Sequence, residues 1–477
     1  MLTLRPYQET MISEVRAELM AGRNPLIVSP CGSGKGSLIS YMVNGAVKNG
    51  HHVIFAVHGM ALVEDMHQRV EKLGIPHGVL MGGKRRERWH PVQIASIDTL
   101  HRMQHPPKAS LVIVDEAHMS MSPTWRKTLD LYPEARIIGA TATPIRLDGK
   151  GLGKKTGGLF DSLVLGPNEA ELIRMGFLVR SRVIAAKPID LKGVKKTAGD
   201  FNSKQLAEAC DKTTLNGDIV EHWKKHASWR KAAAFGVDCA HAQHIAESFR
   251  ASGVEWAYVD ANTPSDERAK IWDDLDHGNL MGVSSVGCIA VGWDHSVVSC
   301  LIMARPTQSL GLWKQMLGRG SRIHPGKQDF IVLDHAGNTL RHEPYGFFED
   351  AVEWCLEGEA IRKTDKKPPP VATCKKCYGT FRAGPRECPF CGALMQVKQR
   401  EIEVIDTGLV ELTPEEIRRR RVPTEAEKKA YDALVRIGKQ RGYKSGWARH
   451  VFSSKFGYHP PMEWLPEAVA FKEAMSG

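Results

Sequence analysis

The sequence predicts an α/β protein. Two tandem parallel-sheet domains come first, followed by a small four-cysteine module and a small helical C-terminal module. Three observations carry this. Short apolar strands alternate with helical stretches through residues 1–345, the pattern of parallel sheets covered by helices. One of those strands runs through a glycine-rich turn and a lysine into a helix, at Leu26–Ser37 (LIVSPCGSGKGS). Four of the ten cysteines form two CxxC pairs, Cys374/Cys377 and Cys388/Cys391.

At 477 residues the chain has room for about three domains, each with its own core. No apolar run reaches the ~18–20 residues of a membrane span. The opening MLTLRPYQET lacks a basic-then-apolar leader. The expectation is a cytoplasmic protein with no membrane partner. The net charge of +11 points to a polyanionic partner, nucleic acid first. The scattered cysteines (Cys31, Cys210, Cys239, Cys288, Cys300 and Cys355) fit reduced thiols of the cytosol.

In chain order, Leu4–Gln8 leads into a helix over Glu9–Met20. Arg5 and Gln8 have two readings here, an ordinary helix cap or contacts to an adenine edge, for which a Gln amide offers both donor and acceptor. Next, Leu26–Ser29 reads as a buried strand, and a helix runs to about Lys48 with Asn49-Gly50 as its stop. Between them Pro30, Cys31, Gly32, Ser33, Gly34, Lys35, Gly36 and Ser37 have the layout of a P-loop. Backbone N–H groups at the helix start form a nest for phosphates, and Lys35 reaches the β/γ-phosphates. The usual Thr or Ser after the lysine, whose hydroxyl ligates Mg²⁺, is replaced by Gly36, with Ser37 one place later. This leaves open how well a bound nucleotide is hydrolysed.

Strands are expected at Val53–Val57, Gln93–Ser96, Leu111–Val114 and Arg136–Gly139, with helices at Ala61–Leu73 and Pro123–Leu131. Asp115-Glu116-Ala117-His118 follows an apolar strand. There Asp115 can hold Mg²⁺ through water and Glu116 can polarise an attacking water. Thr141 and Thr143 follow the next strand, placed to bond this acidic motif and His118 and relay its state. LRPYQ, CGSGKG, DEAH and TATP, in this order and spacing, resemble the first RecA-like domain of a superfamily 2 DEAD/DEAH-box helicase. The resemblance implies ATP as cofactor and a nucleic-acid backbone against Val57-His58 and Ile94–Arg102. It departs at Gly36, and at Gly59, where related proteins often carry Arg.

In the second half, Pro167–Leu178 reads as a connector and Asp190–Thr214 as a polar surface excursion. Strands are expected at Ala232–Val237, Glu255–Val259, Gly282–Val286, Leu301–Ala304 and Phe330–Leu333. Val291-Gly292-Trp293-Asp294 is similar to helicase motif V, so Gly292 and Asp294 are candidate nucleotide contacts. QMLGRGSR is similar to motif VI, with Gln315, Arg319 and Arg322 as candidate catalytic residues. The two arginines stand three apart on what starts as a helix, which predicts a shared face. Arg suits bidentate phosphate contact and charge stabilisation across a cleft. Ala304–Asn338 resembles the RadD/XPB-like helicases of bacteria and phages. That branch implies a DNA helicase or translocase on single-stranded, forked or branched DNA, in replication, recombination or repair, beside proteins of those processes. It also implies the cytoplasm of a bacterium or phage-infected cell. RNA as substrate stays open.

The tail begins with a linker over 346–371, charged and Pro-rich at Lys363–Pro370. The four cysteines, Cys374, Cys377, Cys388 and Cys391, have the spacing of a structural zinc ribbon over 372–394. Capping boxes start at Thr413 and Thr424, with four arginines, Arg418–Arg421, between them. A basic linker over 395–423 then gives way to a helical module over 424–477, with Trp447 and Phe452 expected in its core. The domain boundaries expected in the first half are 1–165 and 166–345. Two rival readings remain: a nucleotide-gated DNA-binding protein with weak hydrolysis, which Gly36 suggests, and the motor subunit of a restriction system.

Overall fold

The computed structural model describes residues 3–82, 87–146, 149–185, 194–197, 200–202, 205–206, 213–228, 230–287, 289, 293, 295–358, 370–395, 424–444, 446–456 and 459–464. By contact density the chain divides into two units, Met1–Val397 and Lys398–Gly477.

The first lobe of the larger unit starts with α1 (Pro6–Met20), β1 (Pro25–Val28), α2 (Lys35–Lys48), β2 (Val53–Val57) and α3 (Met60–Lys72). It continues with β3 (His77–Leu80), β4 (Val92–Ser96), α4 (Ile97–His101), β5 (Leu111–Asp115), α5 (Pro123–Leu129), β6 (Arg136–Thr141) and β7 (Ser162–Leu165). The seven strands form one parallel sheet in the order β3-β4-β2-β5-β6-β1-β7. Its strands are buried on both faces, and alternate side chains divide between two cores. Ile27, Val53, Phe55 and Ile113 join Met11, Ile39 and Val63 on one face. Leu26, Val28, Ile54, Val112 and Val114 meet Trp125, Leu129 and Phe160 on the other.

The order β5-β6-β1 positions the site. It makes neighbours of the strands that lead into the acidic motif, the Thr141–Thr143 turn and the P-loop, all at carboxyl ends.

The connector holds a short helix, α6 (Glu169–Arg174), ended by Gly176 at φ +76°. The second lobe follows with β8 (Arg180–Ala185), the small pair β9 (Lys196–Thr197) and β10 (Asp200–Phe201), α7 (Thr213–Ala227), β11 (Ala232–Phe235), α8 (Cys239–Ala251) and β12 (Trp256–Tyr258). Then come α9 (Ser265–His277), β13 (Gly282–Ser285), β14 (Cys300–Met303), α10 (Leu310–Gly318), β15 (Asp329–Asp334) and α11 (Asn338–Arg341). The cysteine module contributes a hairpin, β16 (Val371–Thr373) and β17 (Thr380–Arg382).

The cysteine hairpin joins the second sheet: β17 pairs antiparallel with β8 at Thr380–Val183 and extends the sheet to β12-β13-β11-β14-β15-β8-β17-β16. One expectation for the tail needs correction: the described part of the 346–371 segment does not behave as a linker. Phe347 and Phe348 are buried in the second lobe, while Trp354 and Leu356 pack on the first. Gly153 donates its N–H to Leu356 O at 2.9 Å, and Lys150 bridges to Gly358. This segment therefore straps the two lobes together. Charge and proline at 363–370 masked that role in the sequence.

The smaller unit contains α12 (Glu425–Gln440), started by the capping box of Thr424 and Glu427, and α13 (Trp447–Phe456). Phe452 and Tyr431 are its buried centre, with Trp447 packed at the edge. The Thr413 box, Arg418–Arg421, Gly292 and Asp294 lie outside the described residues, as does most of Asp190–Thr214. No helix among the described residues is long and apolar enough to cross a membrane.

Candidate active site and zinc centre

A cavity of about 310 Å³ lies between the two lobes of the larger unit. Cys31, Gly32, Gly34, Lys35 and Gly36 line it from the P-loop, Asp115 and Glu116 from the end of β5, and Arg319 and Arg322 from the second lobe. Sequence positions almost 300 residues apart thus meet at one site.

The P-loop is crossed at three glycines by side chains from elsewhere. Gly32 and Gly34 have φ of +80° and +85°, backbone that favours glycine. A Cβ on Gly32 would lie 2.8 Å from Leu178 Cδ2 and 3.3 Å from Arg322 Cγ, so the second lobe closes directly on the loop. A Cβ on Gly34 would lie 2.8 Å from Gln8 Nε2. A Cβ on Gly36 would lie 3.1 Å from the Arg69 guanidinium carbon. Lys35 Nζ donates to Ser29 O at 2.8 Å and Pro30 O at 3.0 Å, bridging the loop's own carbonyls.

Gln8 makes the bonds that the cap reading expects. Its Oε1 accepts the Arg5 N–H at 2.9 Å, which caps α1, and its Nε2 donates to Gly34 O at 3.1 Å. Gln8 is buried and clamps the P-loop to α1; it does not line the cavity. Arg5 does, stacked 4.1 Å over the Phe177 ring. Tyr7 donates its hydroxyl to Ser33 O. Pro30 and Ser33 are buried in the loop, and Ser37 lines a separate depression beside Asp65, Gln68 and Arg69.

Asp115 ends β5, and Glu116 turns the chain at φ +48°. Burial first, and the Glu116 charge second, push the Asp115 carboxyl up to about 7, with Lys35 opposing. Glu116 Oε2 is buried and accepts no hydrogen bond, with His118 Nδ1 3.4 Å away. A buried, under-satisfied carboxylate beside a second carboxylate suits a hydrated divalent cation, so these residues fit Mg²⁺. The nest of the P-loop and the four cations Arg5, Lys35, Arg319 and Arg322 fit the triphosphate of ATP.

Burial lowers the His118 pKa, which keeps the imidazole neutral. Its Nδ1 is 3.1 Å from Thr141 Oγ1. Thr143 N donates to that same hydroxyl oxygen at 3.1 Å. Across the cleft, Gln315 Nε2 donates to Thr143 Oγ1 at 3.1 Å. One chain of hydrogen bonds thus runs from the acidic motif through both threonines to α10. Gln315, grouped by sequence with the arginines, sits on this relay and not on the cavity wall.

The shared helical face expected for Arg319 and Arg322 is also corrected. Helix α10 ends at Gly318, before either arginine. Gly318 packs against Cys31 of the P-loop, where a Cβ would come within 2.5 Å of Cys31 Cβ, and Gly320 packs against Phe330. The turn they form still converges the two guanidiniums. Both Nη1 atoms donate to Trp293 O, at 2.6 Å from Arg319 and 2.9 Å from Arg322.

Sequence reasoning missed Phe177, Asp65 and Arg69. Asp65 and Arg69 form an i,i+4 ion pair on α3 at 2.8 Å and line the cavity beside Gly36. Their spacing was visible, but no strand-end motif flagged it.

At the cysteine module, the four Sγ atoms of Cys374, Cys377, Cys388 and Cys391 lie within 4.8 Å of one another. Such a closed set of four thiols fits tetrahedral Zn²⁺. Backbone N–H groups, chiefly that of Cys377, lower the Cys374 thiol, while burial pushes the neighbouring Cys377 thiol up, so the zinc fit rests on the geometry of the four sulfurs.

The comparisons agree with this geometry. Residues 1–146 match the family described as type III restriction enzyme, res subunit. A 51.5 kDa protein of a Lactococcus phage is 27% identical over 398 residues, 81% of this chain and 83% of that protein. A Saccharomyces cerevisiae protein provisionally named ATP-dependent helicase IRC3 is 29% identical over 302 residues, 58% of this chain and 43% of that one. The chain thus spans less than half the length of the yeast protein. A solved fragment provisionally assigned as the HsdR subunit of a type I restriction enzyme from Vibrio vulnificus aligns with a TM-score of 0.55 at 20% identity, over 72% of this chain and 67% of that fragment; at that identity it speaks for the fold alone.

Fold and site together define an ATP-dependent motor enzyme of tandem RecA-like build. The restriction-enzyme family match and the phage and yeast relatives together support a superfamily 2 helicase.

Proposed function

We propose that this chain is an ATP-driven translocase that works on forked or branched DNA during replication, recombination or repair in a bacterial or phage-infected cytoplasm. The observation that carries it is the single cavity walled by Lys35, Asp115 and Glu116 from one lobe and Arg319 and Arg322 from the other. A site completed only by both lobes makes hydrolysis depend on their approach, and lets hydrolysis drive their separation.

In this reading the P-loop and Lys35 hold the triphosphate, and Arg5 packs beside it. Asp115 would hold hydrated Mg²⁺, whose charge would offset that of the phosphates. Glu116 takes the proton of the attacking water as its oxygen bonds the γ-phosphorus and the β–γ bridging bond breaks. Arg319 and Arg322 leave Trp293 O and stabilise the transferring phosphoryl group. His118, Thr141, Thr143 and Gln315 transmit the state of the acidic motif to α10. The +11 net charge supplies phosphate contacts whose affinity falls with salt.

The test is the steady-state ATPase rate with no nucleic acid and with single-stranded, duplex and forked DNA and RNA, beside Lys35→Ala. Strong stimulation, greatest with forked DNA and absent in Lys35→Ala, is expected. A wild type as silent as Lys35→Ala sinks the motor reading in favour of a nucleotide-gated binder. Because the first lobe matches a restriction-subunit family, a motor subunit of such a system is the second reading. A nuclease that copurifies with the chain, and strong stimulation by unbranched duplex, would favour it.

A further inference from the structure

We propose that Asp65 supplies the metal-facing oxygen that the P-loop hydroxyl would otherwise provide, and that Arg69 is its positioning residue. The proposal rests on the reading that the cleft binds ATP with Mg²⁺.

The argument starts from space. A hydroxyl residue after the P-loop lysine would project where the Arg69 side chain lies. A Cβ on Gly36 would sit 3.1 Å from Arg69 Cζ, 3.1 Å from Nε and 3.2 Å from Nη1. Those distances are tighter than ordinary contact before any Oγ is added. Glycine at 36 and arginine at 69 are therefore a matched pair, and one explains the other.

Arg69 also brings a carboxylate with it. Its Nε donates to Asp65 Oδ2 at 2.8 Å, and both residues line the nucleotide cavity with Asp115 and Glu116. The bond to Arg69 engages one carboxylate oxygen of Asp65, and the residue lines both the cavity and the depression beside it. Ser37, the alternative source of a hydroxyl, lies in the adjacent depression. Asp65 is also among the charges that act on Asp115, as expected of two carboxylates in one field.

Chemistry favours the exchange. Mg²⁺ is a hard cation that prefers oxygen ligands and keeps several waters, and a carboxylate binds it or its hydration shell more strongly than a neutral hydroxyl. The cavity is rich in cations (Arg5, Lys35, Arg69, Arg319 and Arg322), so a third carboxylate is tolerated there. As a surface ion pair alone, an i,i+4 pair such as this would contribute little to stability. The place of this pair in the cavity, opposite the one departure from the P-loop pattern, is what points to a role.

The experiment is equilibrium binding of a fluorescent, non-hydrolysable ATP analogue to the full chain, in Mg²⁺ and in EDTA. Wild type should bind about tenfold or more tightly with Mg²⁺. Asp65→Asn keeps the size and a hydrogen bond to Arg69 but should lose that gain while its affinity in EDTA stays within about twofold of wild type. Asp65→Glu should recover part of the gain. Gly36→Thr should weaken binding in the wild-type background, and in an Asp65→Asn/Arg69→Ala background it should restore the Mg²⁺ gain through the returned hydroxyl. A full Mg²⁺ gain in Asp65→Asn, or an equal loss in Mg²⁺ and EDTA, overturns the proposal and leaves the ATP reading intact. No nucleotide binding by wild type in either buffer overturns both.

Discussion

The relay from His118 to Gln315 gives a quantitative expectation. Gln315 and Thr143 are buried, at 4% and 2% exposure, so water cannot replace the bond between them. Truncating Gln315 to alanine leaves the Thr143 hydroxyl without its cross-cleft donor. A neutral hydrogen bond is worth about 0.5–1.5 kcal/mol net, and an orphaned buried group costs about 1–3 kcal/mol. If the bond serves the closed state of the lobes, Gln315→Ala should lose about 1–2 kcal/mol of coupling between DNA and hydrolysis, roughly 5–30-fold in DNA-stimulated rate. Thr143→Val should cost a similar amount. Because the two act through one bond, the double variant should be little worse than either single, with a coupling energy of about 1 kcal/mol. The assay is the ATPase rate with and without DNA for the four members of the cycle, together with nucleotide affinity. Additive losses would refute the relay. Intact DNA stimulation with lost nucleotide affinity would instead return Gln315 to the cavity, as the motif alone suggests.

Three further expectations follow from other parts of the molecule. Purified protein should carry one zinc per chain by elemental analysis, and strong chelation should lower the melting temperature of the larger unit, because β17 pairs with β8 and Arg382 binds Asp350 at 2.9 Å; an unchanged melt after full metal removal would refute this coupling. Burial, then the charge of His222, pushes the His335 imidazole from 6.5 down to about 3. The unfolded chain therefore binds a proton that the folded chain refuses, so stability is full above about pH 6.5 and falls toward pH 3. At pH 5.5 the loss is on the order of 1.4 kcal/mol; urea unfolding at pH 7.5 and 5.5 should show it, and His335→Asn should flatten that slope. Finally, Phe452 is fully buried, with the Tyr431 and Trp464 rings at 5.4 and 6.0 Å, so Phe452→Ala should cost about 3–5 kcal/mol and open the smaller unit to proteolysis. Unchanged resistance to proteolysis and urea in Phe452→Ala would refute this packing.

The sequence by itself determined the fold class, most strands of both sheets, the P-loop and acidic motif, and the four-cysteine set. These rest on short-range facts. Strand alternation, a glycine-rich turn before a helix and a CxxC pair are each legible within a dozen residues, because their chemistry is fixed by local spacing. What it assigned less well were partners. Gln8 offered two readings, a cap or a nucleotide contact, and the sequence did not show that it would lie against Gly34 of the P-loop. Gln315 read as catalytic until Thr143 was seen across the cleft. The helix expected to carry Arg319 and Arg322 ends at Gly318, which lies on Cys31 nearly 290 positions upstream. The stretch after Tyr345 looked like a linker because its apolar anchors, Phe347, Phe348, Trp354 and Leu356, are spread over two lobes. The Asp65–Arg69 pair was an unremarked helix pair until the sheet order set it against Gly36. Tertiary structure alone decided these cases, since each depends on which strand ends are neighbours. That order, β5-β6-β1 with β2 beyond, is a property of how two buried faces pack, and no local pattern encodes it.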